Sequence, residues 1–509
     1  MIKTHDRGIP TIALLVVLAF ASATPGQEAA EKNDAPSPAR EPRTYVTEHS
    51  VEVDGNPLRY RAVAGETVVT DDDGKPQASI FAFAYLLDGV QDPARRPVTF
   101  FFNGGPGSTA VWLHLGAFGP RRLVLEDAVP PGAPPYDLAS NPYTLLPATD
   151  MVFVDPVGTG YSRALGGKKD SEFWGMDEDA DVLARYIRTW LTANRRWGSP
   201  KYLCGESYGT TRVSLLVRDL QLDVLQGLAL NGVILVSAAL DARIFLSGQP
   251  GNELGFVTNL PTYAAVAYHH DALPHRPDDL DRFLREAREF AATEYLTALF
   301  AGDSLPPERK DEIVARLHHF TGLSEDYIRR AGLRVDTERF LKELLRDRGK
   351  VLAVHDARVT GEDPDDVGEV VAWDPLMQSL AGPFVAAVND YLANDLEARF
   401  EERYEVFSIR AARSWKRGQA YKRLWSGWVY TTPWLAETAA ANPDFRIFAA
   451  SGYHDLTTTF FGVEHTFDHS GIDRSRITLR NYDGGHMMYL RDPSLEALSR
   501  DVLAFIEGR

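Results

Sequence analysis

The chain has one cysteine, Cys204, among 509 residues, so no intrachain disulfide can form and no zinc–cysteine cluster can be built. It also lacks a surplus of positive charge. Lysine and arginine number 54 against 71 aspartates and glutamates, a net charge of −17. So acidic a chain repels phosphate backbones and anionic lipid, and no local basic patch offsets this, which argues against a nucleic-acid partner. A bilayer-spanning apolar run is missing as well. The run Thr11 to Phe20 is well short of the roughly 20 residues a spanning helix needs. Internal repeats are absent too, which sets aside solenoids and propellers. What remains is a globular composition, 44% hydrophobic and 25% charged. The length suits one large domain with an insertion, or two to three ordinary domains.

The first residues read as an export signal. Lys3 and Arg7 precede the apolar run, and Ala21-Ser22-Ala23 follows it as a small-x-small cleavage pattern. Residues 1–23 are thus expected to be a signal peptide, cleaved after Ala23. Residues 24–45 are rich in proline, alanine and charge and read as a disordered linker. The mature protein is expected to be periplasmic or extracellular, with no stable membrane insertion.

From residue 46 the pattern becomes strand-like. Two hairpins are predicted, one turning at Asp54-Gly55 and one at the acid cluster Asp71 to Gly74. That cluster reads as a solvated hairpin tip rather than a metal site. Short apolar runs follow at Val98 to Phe102, Met151 to Val154, Tyr202 to Cys204, Val233 to Val236, Arg446 to Ala449 and Arg476 to Leu479. Runs of this kind suit strands buried on both faces of a parallel sheet. Helical stretches at Asp177 to Asn194 and Thr210 to Leu222 alternate with them, which implies an α/β sheet. Between about 245 and 425 the periodicity is helical, as at Phe283, Ala287 and Phe290 and at Phe340, Leu344 and Leu345, with Ser324 as a helix cap. The expected organisation is a core over 46–244 and 426–509, interrupted by a mostly helical cap insertion over 245–425.

Three motifs carry chemistry. Gly205-Glu206-Ser207-Tyr208-Gly209 lies between a strand and a helix, the context of a nucleophile elbow. A serine hydroxyl needs a base, and in this arrangement an acid and then a histidine follow in the chain. Asp455 and His486 each sit just past a late strand and fit that order; Asp483, His454, His465 and His469 are nearby rivals. The loop Asn103-Gly104-Gly105-Pro106-Gly107-Ser108, also after a strand, suits an oxyanion hole, with one donor from the loop and one from Tyr208. Cys204, in the strand before the elbow, reads as a small buried hydrophobe.

With NGGPGST (103–109), DPVGTGYS (155–162), GESYGTTR (205–212), SGYHD (451–455) and GGHM (484–487) in this order, the chain resembles the serine carboxypeptidase family (peptidase family S10), over about 46 to 509. The resemblance implies an α/β-hydrolase fold, Ser207 as nucleophile, His486 as general base and acid, and Asp455 orienting it. It also implies the N–H groups of Gly105 and Tyr208 as the oxyanion hole. Substrates would be peptides, shortened from their C-termini, and no metal or organic cofactor is implied. Asn103 and Glu206 match the family residues that bind the substrate's terminal carboxylate. The family's second glutamate there, two residues before a Gly-Pro pair, is Ala117 in this chain. Arg121 and Arg122 follow and offer an alternative carboxylate partner. An esterase or acyltransferase on the same three residues, and a catalytically idle binding protein on the same fold, are the other readings.

Overall fold

The computed structural model describes residues 41–223, 227–245, 251–417 and 428–508. The predicted signal peptide, and the linker up to residue 40, lie outside the described residues. Strand β1 (Thr44–Val53) and β2 (Asn56–Thr70) form a long antiparallel hairpin, and β3 (Pro76–Leu87) folds back on β2. The first turn works because Asp54 and Gly55 both adopt positive φ, 50° and 74°, the pattern of the Asp-Gly hairpin turn. At the second, Asp71 Oδ1 accepts from the backbone N–H groups of Asp73 and Lys75, so the acid cluster closes its own turn. Thr44 and Tyr45, expected at the end of the linker, already pair with Gly65 and Ala64.

Next come β4 (Val98–Phe102), the small antiparallel pair β5 (Arg121–Leu123) and β6 (Leu138–Ser140), β7 (Asp150–Val154), the short β8 (Arg163–Ala164), β9 (Lys201–Glu206) and β10 (Gly232–Val236). The insertion adds a second small pair, β11 (Lys350–Leu352) and β12 (Thr360–Glu362), and the chain closes with β13 (Arg446–Gly452) and β14 (Ile477–Tyr482). The main sheet runs β1-β2-β3-β7-β4-β9-β10-β13-β14, with β8 beside β3. It is antiparallel up to the β3–β7 pair and parallel from β7 to β14.

The parallel strands read as continuous apolar runs because alternate residues feed two cores. Phe101, Phe153, Cys204, Ile234 and Phe448 face one; Phe100, Phe102, Val152, Leu203, Val233 and Ile447 face the other. Helices Met176–Ala193 and Tyr208–Gln221 cover the second face, and the C-terminal helix Asp492–Glu507 covers the first through Leu495, Leu498 and Val502.

The segment 251–417 does not pack as one unit. Its first part, helices Leu254–His269, Leu280–Phe290, Pro307–Thr321, Glu325–Arg330 and Thr337–Glu343, buries Phe283, Phe290, Phe320 and Phe340 in a core of its own. Ser324 caps one helix by accepting from Tyr327 N–H at 3.2 Å. The later helix Pro375–Asp390 instead sends Leu376, Leu380 and Phe384 into the main core.

Candidate active site

Ser207 stands between the end of β9 and the start of helix Tyr208–Gln221, with φ 58° and ψ −129°. A non-glycine residue holds such a conformation only where its surroundings enforce it. They do: Ser207 N–H donates to Val236 O at 3.0 Å, a side chain at Gly205 would collide with the Gly209 carbonyl, and one at Gly209 with the Phe102 carbonyl. The serine is presented at the carboxyl edge of the sheet and is 8% exposed.

Two further loops meet at that edge. His486 follows β14 and Asp455 follows β13. His486 Nδ1 lies 2.8 Å from Asp455 Oδ2. The neighbour of Val236, Ser237, donates its hydroxyl to His486 O at 2.7 Å, so one turn after β10 holds both the elbow and the histidine loop. Asp455 is fully buried and accepts from Thr457 N–H (2.8 Å), Thr458 N–H (3.0 Å) and the Thr458 hydroxyl (2.7 Å). With Nδ1–H on the carboxylate, Nε2 carries the lone pair a base requires. The rivals are elsewhere: Asp483 is half exposed and lies 3.5 Å from His454 Nδ1 and 3.3 Å from Arg491, while His465 and His469 stack on each other along helix Phe460–Asp468.

The glycine loop after β4 lies against the elbow. A side chain at Gly104 would come within 2.6 Å of Tyr208 N and 2.9 Å of Ser207 Cβ. Gly105 follows with φ 101°. Tyr208 opens its helix, where backbone N–H groups have no partner within the helix and the dipole favours negative charge. Beneath the loop, Arg212 is fully buried. It donates to Asn103 O at 2.5 Å and pairs with buried Asp179 at 2.6 Å.

Glu206 and Asn103 are in direct hydrogen-bond contact, Asn103 Nδ2 donating to Glu206 Oε2. Asn103 is fixed in turn by Leu113 N–H on its Oδ1, at 3.1 Å. Tyr489, three residues past His486, donates to the same carboxyl at 2.8–2.9 Å. Burial pushes the Glu206 carboxyl up to about 8, against the lowering effect of the bonds from Tyr489 and Asn103. Below that pH it is neutral and can donate a proton. Burial also raises the Cys204 thiol well above its ordinary range, in keeping with an inert core residue.

Ala117 is buried in a π-helical turn, Trp112–Phe118, and offers only its carbonyl, to Asn141 Nδ2 at 2.7 Å. Neither following arginine takes up the carboxylate site. Arg122 makes a bidentate pair with Asp492 at 2.7 and 2.8 Å, and Arg121 faces Asp395 at 3.4 Å and Leu138 O at 2.9 Å. Both guanidinium groups are already engaged by acids outside the site. Tyr489 and Thr458 went unnoticed in the sequence; the threonine run 457–459 just after Asp455 was the one available signal, since such residues commonly bond a neighbouring carboxylate. Among the described residues no group of three or more His, Cys, Asp or Glu is placed to hold a metal ion, and no helix is long and apolar enough to cross a membrane.

Residues 73–247 match the family model described as serine carboxypeptidase. Among curated proteins, the chain is 24% identical over 215 residues to serine carboxypeptidase-like 34 of Arabidopsis thaliana, 40% of each chain. It is 30% identical over 142 residues to serine carboxypeptidase-like 4 of the same plant, 27% of this chain and 31% of that one. The chain thus spans about two fifths or less of these relatives' length. Among solved structures, that of Kex1, a prohormone-processing carboxypeptidase from Saccharomyces cerevisiae, superposes with a TM-score of 0.52 at 13% identity, covering 92% of this chain and 91% of that one. That likeness establishes the fold. Residues 73–247 thus resemble the serine carboxypeptidase family, and the chain has the α/β-hydrolase fold.

Proposed function

We propose that this protein is an exported serine carboxypeptidase that releases C-terminal residues from peptides through an acyl-enzyme on Ser207. The Ser207 hydroxyl attacks the last peptide carbonyl and its proton passes to His486 Nε2. The oxyanion is met by the N–H groups of Gly105 and Tyr208. As the C–N bond breaks, His486 gives the proton to the departing amine. Water then attacks the ester, His486 takes its proton and returns it to Ser207.

The observation that carries the choice of an exopeptidase is Glu206. A buried carboxyl directly before the nucleophile, bonded by Asn103 and Tyr489 and neutral below about pH 8, is suited to hydrogen-bond a substrate carboxylate without repelling it. Ala117 is the observation that favours a second reading, an esterase or acyltransferase, because it removes one of the two family glutamates. Mass spectrometry of a peptide mixture after incubation, with esters in parallel, separates the two. Stepwise shortening from C-termini supports the first; ester turnover with every peptide intact supports the second. Export rests on residues 1–23 alone, and sequencing of secreted material should find Thr24 at or near its start; an intact Met1 on membrane-bound protein would overturn it.

A further inference from the structure

The sheet edge carries a second histidine that the catalytic sequence does not use. His355 lies in the segment 353–359 of the insertion, and that segment is pinned to both catalytic loops. Leu456 N–H donates to Val354 O (3.1 Å), Ala357 N–H to His454 O (3.0 Å) and His486 N–H to His355 O (2.5 Å). The glycine before His486 makes this approach possible, since a side chain at Gly485 would collide with the His355 carbonyl and Asp356. As a result the His355 ring stands against the His486 ring, centroids 5.3 Å apart and planes at 77°.

Behind the ring, His355 Nδ1 faces Asp374 Oδ2 at 3.5 Å. Asp374 is almost wholly buried and accepts from Val354 N–H (2.8 Å) and Met377 N–H (2.7 Å). Burial would raise its carboxyl, but the His355 ring and the two backbone donors outweigh burial and hold it below the usual range, so it is an anion. The anion stands 3.5 Å behind Nδ1 without a hydrogen bond to it and would offset a positive charge gained by the ring. Among the described residues nothing is hydrogen-bonded to the other ring nitrogen, Nε2, and that atom is not sealed from solvent.

We propose that His355, backed by Asp374, is a substrate-binding residue that pairs through Nε2 with the free carboxylate of the departing residue. The proposal rests on the carboxypeptidase reading above. His486 must hand a proton to the leaving amine, so the departing residue lies on the open side of His486. Glu206 and Asn103 can give its carboxylate hydrogen bonds, but Glu206 in its neutral form gives no charge. Ala117 is apolar, and Arg121 and Arg122 are engaged by Asp395 and Asp492. The His355 ring abuts the His486 ring, which puts a second imidazole beside the place where the substrate carboxylate has to sit.

The test compares an N-acyl dipeptide acid, its C-terminal amide and the matching ester, in wild type, His355→Gln and Asp374→Asn. A charge-assisted hydrogen bond of about 1.5–3 kcal/mol corresponds to about 10–100-fold. His355→Gln should raise KM for the acid by that factor more than for the amide or ester, with kcat affected far less; Asp374→Asn should move the acid in the same direction by less. Fluorophosphonate labelling of Ser207 reports whether each variant keeps a working site, and if His355→Gln does not, Asp374→Asn decides. Equal losses on acid, amide and ester would make His355 a prop for His486 and overturn the proposal, as would no loss at all. If the wild type cleaves esters but no peptide, the carboxypeptidase reading fails separately. The inhibition constant of an N-acyl amino acid against ester turnover then reads the same site, and a value indifferent to His355→Gln overturns the assignment.

Discussion

In the proposed mechanism Ser207, His486 and Asp455 act only as a set, and single substitutions should show it. Ser207→Ala removes one small hydroxyl from an otherwise intact elbow, so the protein should fold while turnover falls by about a million-fold, with His486→Ala nearly as severe. Asp455→Asn should cost about ten-thousand-fold by favouring the wrong tautomer of His486. Asp483→Asn touches His454 and Arg491 instead and should change kcat/KM by only a few-fold. A reversed ranking of the two acids in steady-state assays would reassign the orienting carboxylate. For Glu206, neutral below about 8, binding of peptide acids should weaken as pH rises through that value, while amides and esters, which carry no carboxylate to repel, should lose much less. Glu206→Gln donates at any pH and should flatten the alkaline limb for acids. Identical wild-type profiles for acid and amide would remove Glu206 from carboxylate recognition. Sequence order alone pointed to Asp455 over Asp483, because each proposed catalytic group directly follows its own strand. It could not point to His355, whose place depends on how the insertion packs.

At the scale of elements, the strands of the parallel sheet were legible because burial on both faces leaves a short unbroken apolar run. Their ends were less so: β14 starts at Ile477, since Arg476 ends a short helical turn closed by the Asp473 carbonyl. The π-helical turn Trp112–Phe118 was not legible at all, because an apolar stretch such as AVWLHLGAF fits several periods equally well. What joins these elements at the site is a buried ion pair. Arg212 on the helix after the elbow bonds Asp179 on the preceding helix and Asn103 O in the glycine loop. Burial raises the Asp179 carboxyl even with Arg212 beside it. Arg212→Met would leave that carboxyl unpaired and the Asn103 carbonyl without its donor, at a cost of about 3–5 kcal/mol. Denaturant unfolding should show this loss, and Arg212→Met combined with Asp179→Leu should recover a large part of it. Gly485→Ala tests a different junction, because its methyl group would push the His486 loop away from residues 355–356. Overpacking of this kind costs about 1–3 kcal/mol, and kcat should fall further than that stability loss explains.

For the molecule as a whole, the division of labour in 245–425 was only partly legible. Helical periodicity was plain in the part that forms its own core, whereas nothing in the sequence marks Leu376, Leu380 and Phe384 as partners of the main sheet. The same burial that unites these parts sets two opposing responses to pH. Burial raises Glu206 to about 8 and Asp155 to about 7, the latter despite hydrogen bonds from Tyr404 and Ala110. Each is neutral in the folded chain over a range where the unfolded chain is ionised. The stability this confers is complete below the ordinary carboxyl range and is lost as pH rises to about 7–8. Burial lowers His114 to about 3, His270 to about 4, and His454 in the same direction. Their contribution is complete above the ordinary histidine value and is lost as pH falls towards 3–4. His270 bonds Ala357 O at 2.6 Å, and His454 O accepts from Ala357 N–H, so acid should loosen first the junction between the insertion and the Asp455 loop. Thermal unfolding followed across pH should therefore give a maximum in the mildly acidic range, between the two sets of transitions. Glu206→Gln should reduce the decline towards pH 8 and leave the acid side alone. His270→Gln, which keeps a donor for Ala357 O, should reduce the decline below pH 6 and leave the alkaline side alone. A melting temperature that still rises through pH 8, or an alkaline limb that Glu206→Gln does not change, would show that these buried acids do not govern the stability of the fold.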